Sequence, residues 1–423
     1  MISIRRSRPS RPRAIVAPLT VAIALLGATL AGCGSDAHTG PTVLRVPADY
    51  RTIQAAVTAA HPGDLVLISP GTYREAVKVG TKQLVIRGTD RNRVVLEGGN
   101  KLINGFEVTA DQVAIENLTI QRFALNGIEF RGPYDSNAAQ SGPVGWRASY
   151  VTAADNGLYG FYAFGSSAGQ FDHDYASGQP DSGIYVGQCR KCGAVVIDNT
   201  LEHNAIGYEN TNASGVLVAR NIIRRNRVGM TVNSGQTELL APQRGDTIVA
   251  NLVTDNDDAD TPETKGGFGV GIALAGGQDD QVRRNVVSGN SGAGIVLIDQ
   301  DGYRPKNNTV IDNVQQGNGV DLVFATSDGS TPVKAGNCFT VTNGGQPTTR
   351  PRDLLGVAPC DEEANGPLTP TALDLPAAPK GVSYQKVPLP KAQADMPGSR
   401  TSWHVPRRRP KRPDPDTLSA PKP

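Results

Sequence analysis

Asn199-Thr200-Leu201-Glu202-His203-Asn204-Ala205-Ile206-Gly207-Tyr208 is echoed 22 residues later by Asn221-Ile222-Ile223-Arg224-Arg225-Asn226-Arg227-Val228-Gly229-Met230. The glycine-apolar pair of this phrase recurs at Gly160-Phe161, Gly183-Ile184, Gly271-Ile272, Gly294-Ile295 and Gly319-Val320. The paired asparagines recur as Asn251-x4-Asn256, Asn285-x4-Asn290 and Asn308-x4-Asn313. Five of the six glycine steps span 22 to 25 residues, and the 42-residue step from Gly229 to Gly271 holds one more coil plus an insertion. Two phrases locked at one period define one repeating unit. The period is too short for a two-helix repeat, and the segments between are short, β-branched and without helical spacing. Three short strands and three turns per coil fit it, which makes the chain all-β, a parallel β-helix whose coils bury a core only by stacking. The asparagines are expected to form a ladder at a bend where Asn tolerates the left-handed region. The glycines mark a corner needing a positive φ or a close backbone approach.

At 423 residues the chain is long enough for several domains, but a solenoid grows by addition and needs only one. A net charge of +2 argues against nucleic acid as a partner. Arg5, Arg6, Arg8, Arg11 and Arg13 precede the apolar run from Ala14 to Gly32, which closes on Leu30-Ala31-Gly32-Cys33. This resembles a bacterial lipoprotein signal, with residues 1–32 removed and Cys33 lipidated to anchor the chain in a membrane. Residues 33–42 then form a linker, 43–360 the solenoid, and 361–423 a Pro-rich basic tail expected to be disordered. Export favours bridges between Cys189 and Cys192 and between Cys338 and Cys360.

Asp49 is placed to cap a helix running from Tyr50 to Ala60, with Ile53, Ala56, Val57 and Ala60 on one face to plug the open end of the stack. The run Tyr50-Arg51-Thr52-Ile53-Gln54-Ala55-Ala56-Val57, then Pro62-Gly63-Asp64, then Ser69-Pro70-Gly71-Thr72-Tyr73-Arg74-Glu75 resembles the opening of pectinesterases and other right-handed parallel β-helix proteins of the pectin-lyase-like superfamily. The resemblance implies a right-handed fold and leaves the reaction open. The pectinesterase segment Gly-x-Val-Asp-Phe-Ile-Phe-Gly is absent, so that activity is excluded.

For chemistry, a uronate lyase or epimerase needs a base and a cation to neutralise the substrate carboxylate. Asp255, Asp257, Asp258, Asp260 and Glu263 form the densest acidic insert, and Ca2+ is the ion such an oxygen-rich loop would hold. Phe171-Asp172-His173-Asp174 resembles the Asp-Pro-His segment of mannuronan epimerases without its proline, making Asp172, His173 and Asp174 acid/base candidates. Cys189-Arg190-Lys191-Cys192 reads as a tight bridge, a redox pair, or half a metal site completed by His173 or His203.

Side chains alternate along a strand, so the residue two after each repeat glycine faces out. That column reads Glu129, Tyr162, Tyr185, Glu209, Thr231, Ala273, Val296, Asp321. Tyr162 and Tyr185 between Glu129 and Glu209 would make a sugar-binding floor, walled by inserted loops at Arg131 to Trp146 and Asn233 to Asp246. The expectation is thus an exported, membrane-anchored envelope lipoprotein, monomeric, that binds a polysaccharide or cell-wall glycan, with its modification by a lyase or epimerase reaction left open. The alternatives are a non-catalytic envelope scaffold and a copper- or metal-handling protein.

Overall fold

The computed structural model describes residues 40–132, 141–263, 267–326, 336–340, 347–360, 372–399 and 411–422. The leader at residues 1–32, the lipidation site Cys33 and most of the linker lie outside these. Among the described residues no helix is long and apolar enough to cross a membrane.

Each coil sends one strand to each of three sheets, as in Leu65–Ile68 (sheet A), Gly71–Tyr73 (sheet B) and Val77–Val79 (sheet C). The described residues build 12 strands in A, 10 in B and 11 in C. Neighbouring strands pair in parallel, each one coil from the next. The chain is a right-handed parallel β-helix, the solenoid as its repeat implied and the hand as the resemblance of its opening implied. Its inward column on sheet C runs Ile128, Phe161, Ile184, Tyr208, Met230, Ile272, Ile295, Leu322, all essentially without solvent exposure. The 42-residue step is a single coil, because Val228–Asn233 pairs directly with Val270–Ala275 while two inserts leave between them. In the last repeat the register differs from the glycine count. Leu322 and not Val320 faces inward, and Val323 and not Asp321 continues the outward column. Asp321 instead turns its carboxylate to Thr348, accepting from its backbone N–H at 2.9 Å and its hydroxyl at 3.0 Å.

The asparagines form three ladders: Asn285 donates to Asn313 and not to Asn308, which is the first asparagine of a third and donates to Asn337. Asn221 Oδ1 accepts both the backbone N–H of Asn199 at 3.0 Å and its side-chain amide at 2.9 Å, and Asn204 with Asn226 repeat the pattern at the next corner. The left-handed residue is not the asparagine but the one before it, such as Asp198, His203, Arg220 or Arg225. The repeat glycines hold negative φ and serve close approach: a Cβ on Gly229 would lie 2.4 Å from the carbonyl oxygen of Gly271, and one on Gly271 2.6 Å from that of Gly294. That contact repeats at each coil, which is why no side chain fits there.

The helix α1 (Ile53–Ala59) is shorter than expected and is capped by Thr52, whose hydroxyl accepts from Ala55 N–H at 3.1 Å. Asp49 accepts from Arg45 N–H instead. Glu75 reaches across from the next coil and accepts from the N–H groups of Ile53 at 2.9 Å and Gln54 at 2.8 Å. The two halves of the opening motif are therefore one device, a helix N-terminus and the carboxylate that satisfies it. Ile53, Ala56 and Val57 join the core under the first coils. Trp146, expected in a loop, lies inside and stacks on Phe130 at 4.7 Å between ring centres. Both expected bridges are present, Cys189 to Cys192 and Cys338 to Cys360.

The tail differs most from expectation. Residues 372–399 and 411–422 lie along the solenoid rather than apart from it, irregular except for single 3-10 turns at Tyr384–Lys386 and Pro415–Thr417. Leu373 and Leu375 pack on the outer face of sheet C, Val387 is buried, and Arg91, Arg227, Arg283 and Arg284 bond to tail backbone or carboxylate. Low apolar content was the ground for expecting disorder. Polar side chains of the coils hold the tail by its backbone, an interaction its composition does not reveal.

Candidate functional site

Glu129, Tyr162, Tyr185 and Glu209 do stack coil on coil in the expected register. They do not form an open floor. Tyr159 lies over both rings at 4.9 Å, and the Tyr185 hydroxyl donates to Glu238 of the insert that follows Val232. Tyr162 and Tyr185 are left 7% and 3% exposed. The insert is a lid over the column where a wall beside it was expected. Burial raises the carboxyls enclosed there: Glu238 is pushed up to about 7, and Glu129 is raised as well. Asp181 and Glu209 are both raised by burial, and the neighbouring Asp181 carboxyl raises Glu209 further. Of the predicted four, Glu209 reaches an open space, an aliphatic trough of about 350 Å3 floored by Val228, Val270, Ala273 and Val296 and partly filled by Leu373 and Leu375.

In the Asp172-His173-Asp174 segment the first two residues pair, His173 Nδ1 lying 3.1 Å from Asp172 Oδ2, and the third is set apart. Asp172 is buried and accepts from Arg147 at 2.7 Å through both Nε and Nη2, from Ser149 at 2.7 Å and from Gln170 at 2.8 Å. Burial opposes its charge, but His173, Arg147 and Ser149 together hold its carboxyl well below the ordinary range. His173 stacks on Tyr150 at 4.5 Å. Asp174 points inward as a rung of the first ladder, accepting from Val151 N–H at 2.8 Å while its own N–H donates to Asn199. Enclosed there, it cannot meet a substrate.

The acidic insert does not converge either. Among the described residues no three His, Cys, Asp or Glu side chains are placed to hold a metal ion. Asp255 sits at a left-handed corner, and the Asp258 carboxylate accepts the Asp260 N–H at 2.9 Å. Cys189 and Cys192 are fully buried and joined, leaving no thiolate for His173 or His203 to complete a site.

Asp258 has a different partner. His203, left-handed at the corner after Glu202, places Nδ1 3.0 Å from Asp258 Oδ2. Burial alone would raise the Asp258 carboxyl, but His203 and the Asp260 N–H outweigh it and keep it below the ordinary range. One residue earlier Glu202 accepts from the Tyr175 hydroxyl and from Arg224 Nε, each at 2.8 Å, and is likewise held low against its burial. These side chains and Arg225 line one cleft of about 560 Å3 on the face of sheet B, closed on its far side by residues 387–393 of the tail. The cleft joins an imidazole oriented by a carboxylate to two guanidinium groups, one of them already paired. The sequence carried His203 only as a metal ligand and Asp258 only as a calcium ligand. The signal for their pairing is the ladder itself, which sets the residue before Asn204 outward at a fixed corner, but the return of the insert to that corner is a tertiary fact.

Residues 137–339, just under half of the chain, match the family described as periplasmic copper-binding protein NosD. Among solved structures the chain is similar to a PL6-family polysaccharide lyase from Pseudopedobacter saltans, at 13% identity over 90% of this chain and 99% of that one, with a TM-score of 0.47. It is also similar to a mannuronan C-5 epimerase A-module from Azotobacter vinelandii, at 15% identity over 69% and 95%, TM-score 0.42. A third is a pectate lyase, at 15% identity over 70% and 72%, TM-score 0.41. At identities this low the likeness concerns the fold alone. No curated protein matches.

Proposed function

We propose that this chain is an exported β-helix protein of the bacterial envelope that holds a uronate-containing polysaccharide in the His203 cleft and removes a proton from its ring. The observation that carries the reading is one cleft shared by an oriented imidazole and an arginine without a side-chain hydrogen bond among the described residues. Asp258 fixes the ring through Nδ1 and so leaves Nε2 as the basic nitrogen. Arg225 neutralises the uronate carboxylate, which stabilises the carbanion-like species formed when the adjacent C–H bond breaks. In elimination the electron pair forms the ring double bond and the glycosidic oxygen leaves with a proton; in epimerisation a proton returns from the other face. The match to a periplasmic family agrees with export, and Cys33 would supply the membrane attachment.

The test is a polyuronate panel read for binding and for unsaturated product. His203→Ala is expected to lower turnover by about 10^2 to 10^4, and Asp258→Asn to lower it while leaving polymer binding near wild type. Equal turnover by the His203→Ala variant would end the reading. The match to a copper-binding family supports a second reading, in which the chain handles copper. Copper titration of exported protein with its bridges intact distinguishes the two, since bound copper with no polymer affinity would favour the second.

A further inference from the structure

We infer that tail residues 382–399 are a built wall of the substrate site and that Lys391 sets its preference for a polyanion. This rests on the reading of the His203 cleft given above. The tail is pinned on both sides of the cleft by its backbone. Upstream, Val382 bridges to Pro262 and its N–H donates to the Thr261 carbonyl at 3.0 Å. Downstream, Gln393 and Asn92 exchange two hydrogen bonds, each 2.8 Å, and Asp395 accepts from the Arg91 N–H at 2.6 Å.

Arg91 shows that the docking is specific. Its guanidinium is buried, with Nη2 on the Val151 carbonyl at 2.8 Å, Nε on the Thr152 hydroxyl at 2.9 Å and Nη1 on the Ala394 carbonyl at 3.1 Å. Removing the tail would take away one of the partners of a buried cation, a costly loss. Between the pins, Val387 is buried while Pro388 and Pro390 hold the strand extended with little entropy to lose.

Charge bookkeeping within the cleft gives Lys391 its role. Arg224 is taken by Glu202, and Asp258 by His203. With His203 neutral, Arg224, Arg225 and Lys391 balance Glu202, Asp258 and Asp260, so that without Lys391, exposed on the tail wall, the lining would carry a net negative charge that repels an acidic polymer. An extended acidic polymer would meet Arg225 with the carboxylate of the reacting unit and Lys391 with that of a neighbouring unit.

Lys391→Glu in the full chain is expected to raise KM for polyuronate roughly five- to ten-fold, and kcat by less than about two-fold in either direction. Lys391→Gln should have a smaller effect in the same direction. Docking is read separately by tryptic cleavage after Lys386 and Lys391, slow in the wild type and fast in the Asn92→Ala, Asp395→Ala double variant. Equal cleavage of both proteins would show that the tail is no wall. A protected tail with turnover that His203→Ala abolishes but Lys391→Glu leaves at the wild-type KM would overturn the charge-selecting role alone. Absence of any polyuronate binding or turnover in the wild type would bring down the cleft reading, and this inference with it, whatever the proteolysis shows.

Discussion

Asp174 and Asp280 stand where the ladders elsewhere carry asparagine. In each, one oxygen accepts backbone N–H, from Val151 and from Asp246 respectively, and Oδ2 has no hydrogen-bond partner among the described residues. An asparagine amide at that position donates to a backbone carbonyl, as Asn199 does to Phe171. A carboxyl can imitate it only when protonated. Burial accordingly raises both, Asp280 from its ordinary 3.8 to about 7. For a raised carboxyl, stability is fully present below the unfolded value and is lost as pH rises through the folded one. Between pH 4 and 8 the wild type should therefore lose stability. Asp280→Asn should flatten that slope, gaining roughly 1–3 kcal/mol at pH 8 in chemical denaturation. A slope unchanged by the substitution would mean that Asp280 is ionised in the fold. Asp174→Asn is expected to act in the same direction, and its tolerance would also exclude Asp174 from catalysis.

At the scale of the element, α1 and the tyrosine column each depend on a residue far along the chain. Glu75→Ala removes the acceptor from two N–H groups of the first helical turn and should lower stability by about 1–2 kcal/mol in urea. Thr52→Ala, losing one cap bond, should cost about 1 kcal/mol. If Glu75→Ala is neutral, the carboxylate is not the cap. The column was expected to be an open sugar-binding floor. Enclosed under Tyr159 and Glu238, the Tyr162→Ala, Tyr185→Ala double variant should instead lower stability by about 3 kcal/mol or more, as large-to-small changes in packed sites do. An unshifted melting curve would show the lid to be open. On the inward side of the same strands, Ile184→Asp places an unpaired charge in a core one side chain deep and should abolish soluble expression.

For the whole molecule, position in the envelope depends on residues outside the described fold. Cys33→Ser should move the protein from the membrane to the soluble fraction, because acyl burial contributes about 0.8 kcal/mol per CH2. Retention in the membrane would identify the run from Ala14 to Gly32 as an uncleaved anchor. The solenoid adds stability coil by coil, whereas the tail runs against that logic. Its contacts join Arg91 near the first coils, Arg227 in the middle and Arg284 near the last, so the two described tail segments link units that otherwise touch only their neighbours.

By itself the sequence determined the solenoid, its three-strand coil, both bridges and the outward register from Glu129 to Glu209. The reason is that these depend on contacts at one fixed separation: a residue meets its counterpart one coil away, and a repeated phrase records that contact directly. Only the tertiary structure decided what covers each face. The insert carrying Glu238 closed the tyrosine column, Asp258 turned from an acidic loop to His203, and a proline-rich tail docked on Arg91 and Asn92. Those contacts join segments of no fixed spacing through single carboxylates and backbone carbonyls, and neither period nor composition carries a trace of them. The last repeat marks the boundary between the two cases: Gly319 kept the phrase, but two extra residues in its corner moved the strand to Leu322, and only pairing with Ile295 reveals it.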